Sequence, residues 1–286
     1  MNSEAFRAHI RWMRLRGLAA TTITQRAAVM RRLAAYCDGK PLLDITETEL
    51  IEWADDLATR VAVSSRAFYV SNVREFYRWC YAEHRIAADP AANLPVPRVP
   101  ARQPRPIDED SLEVAISYAS PRIRLWLVLA AFCGLRACDV AHLRGENIRL
   151  ADDPPYILVT ESKGGKERIV PLNDYVVAEF RRYPNLPARG PVFRNAGGQR
   201  ISENAVSVIA NRHLRDVGVQ DVFHQLRHRF GTQVQRAYRD LRVTQELLGH
   251  SNVATTALYA GVADLDKYRA VTALPTPATQ TALLGT

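Results

Sequence analysis

The stretch Tyr156–Leu172, YILVTESKGGKERIVPL, decides how the chain is read. Its two arms, Tyr156–Thr160 and Arg168–Leu172, are rich in β-branched and other strand-forming residues. Between them Gly164-Gly165 supplies the backbone freedom of a tight reversal, so a β-hairpin is expected. In the rest of the chain the apolar residues recur every three to four positions, the period of a helix. The fold class is therefore mainly α, with a small β-hairpin or sheet in the second half.

On the N-terminal side of the hairpin lies PRIRLWLVLAAFCGLRACDVAHLRGENI, 121–148. Its apolar run Leu125–Cys133 is shorter than the roughly 18 residues that a bilayer requires, and reads as a buried helix. Gly134 ends that helix and Leu135-Arg136 starts the next turn. Before it, DEDSLEVAISYAS (108–120) is acidic at its start, as helix N-termini prefer. Beyond the hairpin the chain reads as helical to about residue 271.

Further upstream stands LPVPRVPARQPRP, 94–106, in which Pro95, Pro97, Pro100, Pro104 and Pro106 alternate with Arg98, Arg102 and Arg105. Proline removes the amide donor and fixes φ, so no helix crosses this stretch. It is an extended linker over 95–106, dividing the chain into 1–94 and 107–286. The first part reads as helices only. TTITQRAAVMRRLAAYC places Ile23, Ala27, Met30, Ala34 and Cys37 on one face, with Thr21 or Thr22 as cap. ITETELIEWADDLATR opens with a capping box from Thr46 to Glu49 and buries Leu50, Trp53 and Leu57. SSRAFYVSNVREFYRWCYAEH carries a basic side through Arg66, Arg74, Arg78 and Arg85. That side is either a solvated face or a phosphate-contacting one.

The composition narrows the partner. Net charge is +8 over 286 residues, with 47% hydrophobic and 24% charged positions. A basic excess suits a polyanion such as DNA. Only Lys40, Lys163, Lys166 and Lys267 are lysine; arginine supplies the other cations. Cys37, Cys80, Cys133 and Cys138 show no C-x-x-C spacing and read as reduced packing thiols, which points to the cytoplasm. No metal site is expected, and no membrane span.

Four segments carry candidate chemistry: GLRACDVAHLR, SKGGKER, HQLRHRFGT and LLGHSNVATTALY. Together they offer Arg136, Lys163, His224, Arg227, His250 and Tyr259. Each residue alone has an ordinary structural explanation; the set answers the demands of cutting a phosphodiester without a metal. Attack by an oxygen builds charge on the non-bridging oxygens, which two arginine forks, Arg136 and Arg227, can clamp. A phenol with a pKa of about 10 is a weak nucleophile unless a base such as His224 takes its proton. His224 and Arg227 share a helix face at a spacing of three. The leaving 5′ oxygen requires a proton, which lysine gives far more readily than arginine, so Lys163 (or its neighbour Lys166) fits that role.

This ordered set, with nine residues from His250 to Tyr259, resembles the tyrosine recombinase (phage-type integrase) family. ESKGGKERIVPL is similar to the family's hairpin with Lys163 at its catalytic lysine, and Asp139 matches an acidic position supporting the arginine. The resemblance implies a catalytic domain over 107–286, a helical core-type DNA-binding domain over 1–94, and a two-domain clamp on DNA. It implies that Tyr259 forms a 3′-phosphotyrosine with no cofactor, metal or ATP. It further implies a chain that is monomeric when free and tetrameric on two double-stranded core sites. The segment from about 264 to 286 would dock on a neighbouring protomer. The basic positions Arg66, Arg74, Arg98, Arg102 and Arg105 are candidate DNA contacts, and a directionality factor is a candidate accessory partner. Since the first helix starts almost at Met1, no arm-binding domain is expected, as in Xer-type recombinases and small phage integrases. The expected role is integration or excision of a phage or mobile element. The alternatives are Xer-type resolution, type IB topoisomerase activity and non-catalytic DNA binding.

Overall fold

The computed structural model describes residues 4–100, 105–160, 167–238, 240–249, 269 and 271–274. Lys163, His250, Tyr259 and Arg102 lie outside the described residues. The chain divides into two compact units, Met1–Arg102 and Gln103–Thr286.

The first unit holds α1 (Glu4–Leu15), α2 (Ala20–Tyr36), α3 (Glu47–Arg60) and α4 (Val63–Ala82). Helix α3 starts on the expected capping box: Thr46 Oγ1 accepts from the Glu49 amide, and the Glu49 carboxylate accepts from the Thr46 amide. Helix α2 differs from expectation. It begins before the threonines, at Ala19–Ala20, with no side-chain cap. The following Thr24 instead donates to the Ala20 carbonyl within the helix. The threonines are carried into the helix because Ile23, Ala27, Met30 and Ala34 face the core from its first turn.

The core of this unit encloses His9, which is 2% exposed. Its ring lies 4.8 Å from Trp79, 5.2 Å from Phe76 and 5.5 Å from Trp12, measured between centroids. Burial, aided by Arg26, pulls its pKa down to about 4. An unfolded histidine titrates near 6.5, so between those values the unfolded chain binds a proton that the folded one refuses. Stability therefore falls as pH drops from about 6.5 to about 4, by up to ~3 kcal/mol. Urea midpoints followed by tryptophan fluorescence should show this decline in the wild type. In His9→Leu the decline should be much shallower, and equal slopes would refute the assignment.

The second unit is built on α6 (Pro121–Cys133), whose residues from Leu125 to Cys133 are all buried. A helix apolar on every side must be surrounded; α6 is packed by α5 (Glu109–Ser117), α7 (Ala137–His142), α8 (Asp174–Arg182), α9 (Glu203–Asp216) and α10 (Phe223–Tyr238). Gly134 ends it in the left-handed conformation, φ 63°. A Cβ there would stand 2.4 Å from Phe230 Cδ1, so α10 crosses where only glycine fits. The final helix is α11 (Leu241–Leu248).

The sheet has three antiparallel strands in the order β1 (Ile148–Arg149), β2 (Tyr156–Val159) and β3 (Arg168–Pro171). Strands β2 and β3 are the two arms of the expected hairpin, paired from Tyr156–Pro171 to Val159–Arg168. Strand β1 was not foreseen; two residues carry no periodicity. Nor is the remainder all helix, because no helix occupies 183–202. That stretch holds Gly190, Gly197 and Gly198 and two isolated bridges, Arg144–Pro191 and Arg194–Arg200.

Of the C-terminal tail, Val271 and Leu274 are buried in the core of their own unit. The family resemblance implies docking on a neighbouring protomer for the segment from about 264 to 286.

Candidate active site

Arg136 is the residue before α7, and its amide donates to Asp139 Oδ2 at 2.9 Å. Asp139 is fully buried as a side chain, and the same oxygen accepts from Arg168 Nη2 at 2.6 Å. The carboxylate thus fixes the start of α7 and ties it to the first residue of β3. Burying a carboxylate is costly unless it is paired and hydrogen-bonded, and Asp139 has both kinds of partner.

Arg227 comes from the second turn of α10 and is 3% exposed. Its Nη1 donates to the Gly134 carbonyl and its Nη2 to the Leu248 carbonyl, the latter at 2.6 Å. Arg136 Nη2 lies 3.4 Å from the next carbonyl, Gly249. Two guanidiniums from different helices therefore meet at consecutive carbonyls of one turn, where α11 ends with Gly249 at φ 62°. His250 follows directly. Burial, then the charges of Arg136 and Arg168, pull the Arg227 pKa down to about 9, against the opposing effect of Asp139.

His224 opens α10 one turn before Arg227, at an exposed position. Partial desolvation, then His228, Arg227 and Arg136, hold its pKa below the ordinary value. A histidine so shifted is more readily the neutral imidazole, which can accept a proton. The His228 ring meets His224 edge-on at 4.7 Å. Arg229 is structural. It is 1% exposed, binds Glu109 in bidentate fashion, donates to the Ala131 carbonyl and covers the Phe132 ring.

The structure thus brings Arg136, Asp139, His224 and Arg227 together; Lys163, His250 and Tyr259 lie outside the described residues. Sequence reading missed Arg168. A signal existed: Arg168 has the strand parity of buried Val170, while Ile169 between them is exposed. A cation on the inward parity of a strand needs a buried partner. Of the candidate DNA contacts, Arg98 and Arg105 are exposed and Arg66 is half-buried. Arg74 holds the carbonyls of Ala92 and Leu94, both at 3.1 Å, and so pins the chain entering the linker. Among the described residues no group of three metal-binding side chains occurs. No described helix is long and apolar enough to cross a membrane.

Residues 106–265 match the phage integrase family. The chain belongs to that family. It is a tyrosine recombinase, a DNA-binding enzyme that breaks and rejoins DNA at specific sites. The tyrosine recombinase XerC of Pelobacter propionicus is 30% identical over 278 residues, covering 91% of this chain and 90% of that one. Among solved structures, the integrase of mycobacterium phage Brujita is 26% identical, with a TM-score of 0.54 over 94% of this chain and 92% of its own. A lambda integrase tetramer bound to a Holliday junction shares the fold, with a TM-score of 0.69 at 19% identity, over 90% of this chain and 79% of that one. The arginine pair of this recombinase, Arg136 just before α7 and Arg227 in α10, lies inside the matched region.

Proposed function

We propose that this recombinase cleaves one DNA strand by attack of Tyr259 on the scissile phosphate, giving a 3′-phosphotyrosine and a free 5′-hydroxyl. Arg136 and Arg227 hold the non-bridging oxygens, with His250 beside them. His224 takes the phenolic proton, Lys163 protonates the leaving 5′ oxygen, and Asp139 supports Arg136. A 5′-hydroxyl from the partner strand then reverses the reaction. What supports this reading is the convergence of the Arg136 and Arg227 guanidiniums at Leu248–Gly249. Pre-positioned donors of this kind act where charge develops, and each is worth about 10²–10³ in rate.

The acid is tested by changing the leaving group. Lys163→Ala should slow first-turnover cleavage by about 10²-fold or more on an ordinary substrate. A 5′-bridging sulfur, which leaves without a proton, should restore most of that loss. No recovery would remove Lys163 from the acid role.

In the same reading, 1–94 and 107–286 form a clamp on duplex DNA joined by the basic linker 95–106, with Arg66, Arg74, Arg98, Arg102 and Arg105 as its phosphate contacts. Four copies act on two core sites in the cytoplasm, each passing the segment from about 264 to 286 to a neighbour, and a directionality factor assists. The role is integration or excision of a phage or mobile element, as for the phage integrase it resembles. The length-wide similarity to XerC favours a second role, resolution of joined replicons. Mapping the covalent adduct on genomic DNA separates them: adducts at the ends of an element support the first, a single chromosomal or plasmid site the second.

A further inference from the structure

We propose that Arg168 is a positioning residue for the DNA-cleavage step, acting through Arg136; the inference rests on reading Arg136 as a phosphate clamp. Arg168 touches both structures that hold Arg136. Its Nη2 donates to Asp139 Oδ2 at 2.6 Å, the oxygen that also accepts the Arg136 amide at 2.9 Å. Its other side lies flat against Gly249. A Cβ added there would come within 3.0 Å of Arg168 Cδ and 3.3 Å of Nη1. The Gly249 carbonyl is in turn the group facing Arg136 Nη2 at 3.4 Å. Arg136 is therefore held at its backbone by one neighbour of Arg168 and at its guanidinium by another.

The charges give this wedge a purpose. The Asp139 side chain is fully buried, and that of Arg168 is 8% exposed. Pairing with Arg168 satisfies the carboxylate without drawing on the Arg136 guanidinium. Without Arg168, the buried Asp139 would need another cation, and Arg136, whose amide it already holds, and Arg227 are the neighbours that could supply one. A guanidinium turned back toward a carboxylate is no longer directed at a phosphate. The effect is on orientation, since Arg168 itself is too enclosed to meet DNA.

The test uses full-length protein and two nicked suicide substrates that differ at the scissile phosphate. One carries the ordinary charged group, the other a methylphosphonate, which lacks one charged oxygen and depends less on cationic stabilisation. Arg168→Met should slow first-turnover cleavage of the charged substrate at saturating DNA by about 10²-fold. On the methylphosphonate it should cleave within about threefold of wild type, with DNA affinity unchanged. Arg168→Lys, which keeps a charge for Asp139 but lacks the fork, should lose about tenfold on the charged substrate and melt near the wild-type temperature. Combining Arg168→Met with Arg136→Ala should add little to the loss from Arg136→Ala alone.

Equal losses on both substrates, additive losses in the double variant, or no loss in either Arg168 variant would each overturn the proposal. If Arg136→Ala itself shows no preference for the neutral substrate, the reading of the site fails and this inference falls with it. If Arg136→Ala shows that preference and Arg168→Met does not, only the positioning role fails.

Discussion

Tyr259→Phe is expected to bind its DNA site as tightly as wild type and to leave no covalent adduct on a nicked suicide substrate, a loss of at least about 10⁴-fold in cleavage. The substitution removes one hydroxyl and keeps the ring, so it isolates the hydroxyl. The neighbouring Thr255 and Thr256 cannot replace it. Their aliphatic hydroxyls are far weaker acids than a phenol with a pKa of about 10, and an imidazole cannot deprotonate them usefully at neutral pH. A phenolate is also a good leaving group, so the linkage it forms can be reopened by a DNA hydroxyl without an external energy source. The adduct is read by a shift on a denaturing gel. As much adduct from the phenylalanine variant as from wild type would show that another group attacks, and the roles given to His224 and Lys163 would need a different nucleophile.

How much of this was legible in the sequence depends on the range over which each signal acts. The capping box at Thr46 and the stop at Gly134 are local chemistry, and both appear as read. The burial of Leu125–Cys133 follows from composition alone, because no amphipathic face remains to expose. The hairpin arms were set by their residue types. The cap of α2 was misread for a tertiary reason: core contacts starting at Ile23 outweigh the gain of about 1 kcal/mol that a threonine cap offers. Strand β1 and the bridged stretch 183–202 carry no such signal, because neither has a period: β1 is two residues long and each bridge is a single pair.

The site divides in the same way. Residue types in order pointed to Arg136, His224 and Arg227, since each answers a requirement of phosphoryl transfer, and Asp139 came from the family resemblance. What no order could show was how the arginines are held. Arg227 reaches Gly134 and Leu248, 93 and 21 residues away, and Arg168 reaches Asp139 across 29. These contacts join helix ends to a sheet edge, and only the packed fold brings them within bonding distance. The tight approaches at Gly134 and Gly249 belong to the same class, because a glycine in a sequence does not disclose which side chain occupies the space of its missing Cβ.

Arg227→Lys should separate the clamp from the scaffold. Arg227→Ala is the blunter change: two buried carbonyls, Gly134 and Leu248, would lose their donor, at about 1–3 kcal/mol each, so lost folding would mix with lost catalysis. Lysine keeps a cation, but its single ammonium cannot span both carbonyls and a phosphate oxygen in one plane. Cleavage should fall by about 10²–10³-fold near pH 8. The pH dependence is the sharper readout. The surroundings that pull Arg227 down to about 9 would act on a group whose ordinary value is lower, about 10.4, and carry it toward neutrality. The variant lysine would then be charged only in the lower part of the working range, so its cleavage should rise as pH falls from about 8 toward 6.5. His224 permits that window, because its own pKa is held below the ordinary histidine value and it remains a base there. Wild type, whose guanidinium stays charged throughout, should show no such rise. Parallel profiles for the two proteins would mean that charge at position 227 is not what the transition state draws on, and the role of Arg227 would reduce to tying α10 to Gly134 and Leu248.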